Sequence, residues 1–188
     1  MVLITNSSIA RNFHDNDNVG SGESLERIEL TTPDWKIIND GVMGGLSLGN
    51  TRLLDTSFIF SGEISIENNG GFSSVYRPVS DFSAQFDSIS LRVVGDGNLY
   101  QIRIRSQLDG YNLAYKLDFY TKKNIEQHLT FRLSDFQASF RGRLISGAPE
   151  LKAENVTHVG FLITNKQPTS FTLTVNDIAF CSRKLLNE

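Results

Sequence analysis

Apolar residues recur at every second position through most of this chain, and this spacing constrains its fold more than any other feature. A period of two places alternate side chains on one face of a β-strand, whereas an amphipathic helix needs a period of about 3.6 residues. The alternating runs contain Phe58, Phe60, Ile64 and Ile66; Ile89, Leu91 and Val93; Tyr100, Ile102 and Ile104; Leu113, Tyr115, Leu117 and Phe119; Leu129, Phe131 and Leu133; and Val159, Phe161 and Ile163.

The last alternating run, which starts at Phe171, contains a change of parity. Its odd-numbered apolar series ends at Val175, and Ile178 and Phe180 continue it on even-numbered positions. One extra residue in a strand returns the following side chains to the original face, as happens in a β-bulge. We therefore predict a β-bulge at Asn176-Asp177.

These runs predict an all-β protein, an antiparallel β-sandwich of about nine or ten short strands. Turn-forming residues separate the runs at Asp96-Gly97, Asp109-Gly110 and Lys166-Gln167-Pro168. One-sided alternation means that each strand faces a core on one side only. A chain of 188 residues suits one domain. We assign residues 25–188 to the sandwich and residues 1–24 to a polar lead-in.

Composition and charge exclude several functional classes. A net charge of −3 gives no reason to expect nucleic acid binding. No stretch approaches the roughly 18 apolar residues of a membrane helix. The lone Cys181 excludes an internal disulfide framework and favours a reducing compartment, so we predict a cytoplasmic protein. The histidines are scattered and the glycine pairs lack the strand-to-helix context of a phosphate loop, so no cofactor is expected.

A glycine-rich segment interrupts the apolar pattern between Trp35 and Ser47. Its three glycines predict a sharp turn with positive φ at one or more of them. Because Val42 and Met43 lie within the turn, we expect the loop to fold back onto the body of the protein. Asp40 can accept hydrogen bonds from amides two residues on, in an Asx-turn with Trp35 and Met43 packed beneath it.

This segment, Trp-Lys-Ile-Ile-Asn-Asp-Gly-Val-Met-Gly-Gly-Leu-Ser, resembles the signature of the complex I intermediate-associated protein family. A second resemblance is Asn69-Gly70-Gly71-Phe72-Ser73-Ser74, and weaker ones run through Gly95–Tyr100 and Val159–Phe161. The resemblance implies a galactose-binding-domain-like jelly roll and a non-catalytic assembly factor, or chaperone, of respiratory NADH:ubiquinone oxidoreductase. It also implies a protein partner, such as a respiratory complex subunit or an assembly intermediate.

Two interpretations of the signature loop remain open. The glycines and their apolar neighbours build a structural corner, or the loop forms a rim that contacts the partner, as loops on rigid sandwiches commonly do. The candidate contact residues are Trp35, Asn39, Asp40, Met43, Gly44, Gly45, Gly71 and Phe72.

A second candidate binding surface consists of cationic side chains on the face of the strands opposite the core. If the strands adjoin, the cations would share one sheet, where guanidinium groups could bind carboxylates, phosphates or an acidic protein surface. An ordinary solvated face is the alternative. The side chains concerned are Arg92, Gln101, Arg103, Arg105, Lys116, Asp118 and Arg132.

A serine hydrolase is a less favoured alternative. Gly45-Leu46-Ser47-Leu48-Gly49 matches the nucleophile pattern G-x-S-x-G, and Asp118 with His128 or His158 could complete a triad in chain order. The mechanism needs a strand before the serine and a helix after it. A glycine turn precedes Ser47 and a predicted strand follows it, so we expect the serine to cap local amides instead.

A partial match to a calcium-binding loop begins in the lead-in and ends at Glu26. Asp15, Asp17 and Glu26 occupy loop positions one, three and twelve of an EF-hand pattern, with Gly20 at position six. Val19 occupies a ligand position, however, and no flanking helices are predicted. A solvated polar segment is the alternative.

A carbohydrate-binding module is the main alternative function, because the implied fold is shared with many such modules. These modules stack sugars on exposed aromatic rings. The candidate rings in this chain are Tyr76, Tyr111 and Tyr120. Few exposed aromatic side chains on one face would count against a glycan.

Overall fold

The structure is a computed structural model that describes residues 24–108, 110–140 and 143–182, in which thirteen strands form two antiparallel sheets. The strands are β1 (Leu25–Arg27), β2 (Lys36–Asn39), β3 (Leu48–Leu53), β4 (Phe58–Ile64), β5 (Phe72–Pro78), β6 (Ser88–Val94), β7 (Leu99–Leu108), β8 (Tyr111–Tyr120), β9 (Glu126–Arg132), β10 (Gln137–Phe140), β11 (Arg143–Leu144), β12 (Val156–Thr164) and β13 (Thr169–Cys181).

The first sheet has the order β3-β4-β13-β6-β9, with β1 paired to the end of β13, and the second has the order β11-β10-β8-β7-β12-β5-β2. The fold is therefore the predicted all-β sandwich in a single domain. The sequence indicated nine or ten strands, and the additional ones are short edge strands, such as β1 and β11, in which alternation has too few positions to be recognised.

The core lies between the inner faces of the two sheets. Tyr100, Ile102 and Ile104 of β7 are fully buried, and so are Val159 and Phe161 of the neighbouring β12. The predicted parity is confirmed in each of the alternating runs except at Ile66, which follows the end of β4 and is exposed. Burial of alternate side chains by both sheets supplies the apolar area that stabilises the fold.

The bulge in β13 is where the sequence predicts it. Val175 pairs with Val93 of β6, and the next residue in the pairing is Asp177, opposite Arg92. Asn176 is thus the extra residue. As a result Ile178 returns to the core, and it is fully buried.

Two connections cross between the sheets at the same edge of the sandwich. The first joins β2 of the second sheet to β3 of the first sheet and contains a 3-10 turn at Asp40–Met43. The second returns from β4 to β5 and contains a 3-10 turn at Glu67–Asn69. Because both crossovers lie at this edge, residues far apart in sequence meet there.

Candidate functional site

The carboxylate of Asp40 joins the two crossovers. Its Oδ1 accepts the Ser47 N–H at 2.9 Å, and its Oδ2 accepts the Ser47 hydroxyl at 2.5 Å. Oδ2 also accepts the N–H groups of Gly71, at 2.6 Å, and Phe72, at 3.2 Å. Asp40 is completely shielded from solvent. We call these four residues the carboxylate clamp; they connect the end of β2 to the beginnings of β3 and β5.

Hydrogen bonding keeps the buried carboxylate ionised. Burial by itself raises the pKa of Asp40, because a charge is disfavoured away from water. The Ser47 hydroxyl and the N–H groups of Gly71, Ser47 and Phe72 act in the opposite direction and leave the pKa below its ordinary value. The clamp is therefore an anion held by a complete set of donors, the condition under which a buried charge stabilises a fold.

The glycines of the signature make room for the clamp. A Cβ at Gly45 would lie 2.8 Å from the Asp40 Cβ and still closer to its carboxylate, and a Cβ at Gly70 would lie 2.6 Å from Oδ2. Gly71 has a φ of 128°, which side chains of L residues rarely adopt. Glycine is thus required at Gly45 and Gly70 by the close approach of Asp40, and at Gly71 by its backbone conformation.

Asn39 forms a second link beside the clamp. Its Oδ1 accepts the N–H of Gly49 at 3.1 Å and the hydroxyl of Ser73 at 2.7 Å. Gly49 lies in β3, where it pairs with Gly62 of β4, and Ser73 lies in β5. Consecutive residues, Asn39 and Asp40, therefore hold the same edge of the sandwich together from two adjacent points.

The prediction of an Asx-turn at Asp40 is wrong, and so is the prediction that Met43 packs beneath the loop. The carboxylate bonds distant amides, while the Asp40 carbonyl accepts the Gly45 N–H at 3.0 Å within the turn. Val42 and Met43 are 74% and 65% exposed. The buried clamp occupies the space beneath the turn, so these side chains point to solvent.

Leu46 and Leu48, a few residues further along, are also exposed, at 53% and 69%. Neighbouring Gly44, at φ 90°, ends the 3-10 turn, and its carbonyl accepts a hydrogen bond from the Asn68 side chain at 3.1 Å. We call Val42, Met43, Leu46 and Leu48 the apolar crest.

Trp35 is buried, but it does not lie beneath the loop. Its ring packs on Phe58 with centroids 3.9 Å apart, and its N–H donates to the Leu30 carbonyl at 2.9 Å. It precedes β2, whereas the loop follows that strand. Trp35 is therefore a core residue at the opposite end of β2 from the clamp.

Ser47 is placed as part of the clamp and not as an exposed nucleophile. It is buried, its hydroxyl donates to Asp40, and its Oγ accepts the Ser65 N–H at 3.0 Å. The predicted triad partners lie elsewhere: His128 on β9 and His158 on β12 are in different sheets. Asp118 lies on the outer face of β8.

The predicted cationic cluster divides between the two sheets, which corrects the expectation of one shared face. Arg92 and Arg132 lie on β6 and β9 of the first sheet. Arg103, Arg105 and Lys116 lie on β7 and β8 of the second sheet, where Arg103 and Lys116 are register partners. Alternation along a strand predicts inside or outside, but it does not predict which sheet a strand joins.

Two residues of the second sheet's outer face were not predicted as members of the cationic surface. Lys36 on β2 and His158 on β12 face outward beside the Arg103 group. Lys36 lies between Trp35 and Ile37, and His158 precedes Val159. The period of two at each position was the signal that could have identified them.

The calcium hypothesis falls mostly on residues whose structure is not described, since Asp15 and Asp17 precede residue 24. Glu26 lies in β1, paired with Phe180 of β13. Within the part of the chain that the structure describes, no three acidic, histidine or cysteine side chains gather as a metal site would require.

The candidate sugar-stacking residues do not form a platform. Tyr76 is only 8% exposed. Tyr111 and Tyr120 are exposed but lie at opposite ends of β8 and have opposite parity. A sugar on one face would therefore meet at most one exposed ring of these three.

Comparison with known proteins places the chain in a family. Residues 23–175 match complex I intermediate-associated protein 30 (CIA30). An uncharacterized protein of Schizosaccharomyces pombe is 26% identical over 186 residues, covering 82% of this chain and 84% of its own length.

Two similar solved structures, both of a family 11 carbohydrate-binding module of Clostridium thermocellum, share the fold. The module of the cellulosomal cellulase Lic26A-Cel5E has a TM-score of 0.65 at 13% identity, over 90% of this chain and 100% of the module. The same family's module in complex with a β-1,3-1,4-mixed-linked tetrasaccharide also has a TM-score of 0.65, at 12% identity, over 86% and 98%. With the signature loop, the matched residues and the sandwich in agreement, the chain belongs to the complex I intermediate-associated protein 30 family.

Proposed function

We propose that this protein is a non-catalytic assembly factor that holds a partner protein, and that the partner is a subunit or an assembly intermediate of respiratory complex I. The family to which it belongs is described by its association with complex I intermediates. The single structural observation that carries the proposal is the apolar crest on the signature loop.

The apolar crest has the composition of a contact surface. Four large apolar side chains are exposed between residues 42 and 48, and none is less than half exposed. Single exposed apolar residues are ordinary, but a group of them on a soluble domain marks an interaction site. A partner with a complementary apolar surface would gain the free energy of removing this group from water.

The carboxylate clamp prepares the crest for binding. The loop that bears Val42, Met43 and Leu46 begins at Asp40 and returns to the sandwich at Ser47, next to Leu48 of β3. The clamp joins these two ends of the loop. Asn68 attaches the middle of the loop through the Gly44 carbonyl. A loop that is already ordered loses less conformational entropy on association. The structural and functional interpretations of the signature are thus compatible, because the buried carboxylate clamp holds the loop that carries the exposed apolar crest.

A carbohydrate-binding role, the alternative function, has less support. The similar solved structures are 12% and 13% identical to this chain, which is informative about the fold alone. The three candidate tyrosines do not share a face. Catalysis at Ser47 also has little support, because its hydroxyl is buried and donates to the clamp.

We also propose a reducing compartment, the cytoplasm, as the location. One cysteine in 188 residues is typical of proteins that fold without disulfides. Among the described residues, no helix has both the length and the apolar character to cross a membrane.

Capture from an extract of the protein's own organism tests the proposal. The tagged protein is expected to retain subunits of NADH:ubiquinone oxidoreductase, identified by mass spectrometry, and the double variant Val42→Ser, Met43→Ser to retain at least about fivefold less. The matched control is Ile125→Ser with Leu144→Ser, two exposed apolar residues outside the loop. Failure of the wild-type protein to enrich any complex I subunit would overturn the proposed function. Equal loss of captured subunits in both double variants would show that the apolar crest is not the contact surface.

A further inference from the structure

We propose that the outer face of the second sheet binds an extended acidic segment of a protein, through Lys36, Arg103, Arg105 and Lys116, which we call the cationic face. The proposal does not rest on the role in complex I assembly, since the cationic face is distinct from the apolar crest.

The register of five adjacent strands assembles the cationic face. Lys36 pairs with Tyr76, Tyr76 with Gly160, Gly160 with Arg103, and Arg103 with Lys116. These residues form one row across β2, β5, β12, β7 and β8. At about 4.8 Å between neighbouring strands, Lys36 and Lys116 are roughly 19 Å apart along the row.

Charge on the cationic face is opposite in sign to that of the chain. The whole sequence has 18 basic and 21 acidic residues. The outward positions of the described strands of the second sheet include a single acid, Asp118, whose Oδ1 is 3.9 Å from the Lys116 Nζ. Among the described residues, this is the ion pair of the cationic face, and Lys36, Arg103 and Arg105 have no carboxylate partner within ion-pair distance.

The two guanidinium groups are positioned before any ligand binds. Arg105 lies over the Tyr76 ring at 4.2 Å, and Tyr76 in turn covers Gly160, where a Cβ would come within 2.7 Å of the ring. Arg103 donates to the Gln101 side chain at 3.3 Å, but its Nε is shielded from solvent and has no partner among the described residues. A positioned guanidinium with unused donors matches the two oxygens of a carboxylate.

The pKa of His158 responds to the positive charge of the cationic face. It is the register partner of Arg105 on β12. Burial, then Arg105 and then Lys36, lower the pKa of His158. Burial is the larger cause, and the part of the lowering that Arg105 and Lys36 produce is the part that an anion placed on the face would offset.

The dimensions favour an extended acidic peptide as the occupant. A single carboxylate or phosphate cannot span 19 Å, whereas an extended peptide does so in about six residues, with side chains of one face about 7 Å apart. Nucleic acid is disfavoured because it typically needs more phosphate contacts and aromatic rings for its bases. The Tyr76 ring is not available for stacking, since Arg105 and the neighbouring strand cover it.

Binding of fluorescein-labelled octaglutamate, followed by anisotropy at low ionic strength, tests the proposal. The wild-type protein is expected to bind, with affinity that decreases as salt is added. The variant Arg103→Gln, Arg105→Gln should bind at least about tenfold more weakly, because hydrogen bonds between charged groups contribute more to the binding free energy than neutral ones. The matched control is Arg52→Gln with Arg92→Gln, which changes the net charge equally on the outer face of the first sheet. It should change the affinity by less than about twofold.

An NMR titration of His158 gives an independent readout. Octaglutamate should raise its pKa, because the bound carboxylates offset Arg105 and Lys36. Absence of wild-type binding, equal weakening in the two double variants, or an unchanged His158 pKa in the bound state would overturn the proposal. Tighter binding of a thymidine octanucleotide than of octaglutamate would overturn it in favour of nucleic acid.

Discussion

The Asp40 carboxylate and the Gly71 backbone N–H lie 2.6 Å apart although 31 positions separate them in the chain. This contact joins the end of β2 to the beginning of β5, and Ser47 adds β3 to the same carboxylate. One buried anion therefore joins the two crossovers at this edge of the sandwich, and the exposed crest depends on it for its position.

Asp40→Asn should destabilise the protein. The asparagine side chain has the same size, but its NH₂ group would face the N–H and O–H donors that the carboxylate now accepts. At least one of these buried donors would then lose its acceptor. We expect the free energy of unfolding to fall by about 2–4 kcal/mol, measured by urea denaturation. Asp55→Asn, an exposed residue between β3 and β4, is the control and should change it by less than about 0.5 kcal/mol. Equal stability of the two variants would show that the clamp is dispensable.

The stability contributed by ionised Asp40 should depend on pH in one direction. Its folded-state pKa is below the ordinary value of 3.8, so the contribution is complete above that pH. As pH falls below about 3.8 and through the folded-state pKa, the native carboxylate takes up a proton and the contribution is lost. The stability difference between wild type and Asp40→Asn should therefore narrow in acid. Urea denaturation of both proteins at several pH values measures it, and a constant difference between neutral and strongly acidic pH would contradict this sign.

Gly45→Ala should disrupt the clamp, whereas Gly41→Ala should not. The new methyl group at Gly45 would overlap the Asp40 side chain, and a methyl group at Gly41 would meet no atom within 4 Å. We expect a loss of about 1–3 kcal/mol for the first variant and no loss for the second, measured by thermal and urea unfolding. If Gly45→Ala were as stable as Gly41→Ala, the close approach would not explain the glycine.

Deletion of Asn176 should unfold the protein or destabilise it severely. Without the extra residue, the register with β6 would turn Ile178 and Phe180 from the core to the outer face. Asn176→Ala keeps the residue count and loses mainly the bond to the Glu126 side chain, so its cost should be below about 1 kcal/mol. Circular dichroism and thermal unfolding of both variants check this, and a deletion variant as stable as Asn176→Ala would contradict the role of the bulge.

The sandwich could be predicted because alternation is a local property. Tyr100, Ile102 and Ile104 all face inward because residues two positions apart lie on the same face of a strand. The change of parity after Val175 located the bulge. Strands as short as β1 and β11 gave too few positions for a pattern. Alternation also did not predict which sheet a strand joins: Arg92 and Arg103 both face outward from their strands, but they lie on different sheets.

The sequence by itself determined which residues face the core, where the chain turns, and the family through its glycine-rich signature. The tertiary structure alone decided that Asp40 is buried and meets Gly71, that Val42 and Met43 are exposed, and that Lys36 joins Arg103 and Lys116 in one row. The reason is physical: alternation acts over two residues, whereas hydrogen bonds between crossovers and the order of strands in a sheet depend on contacts between distant parts of the chain.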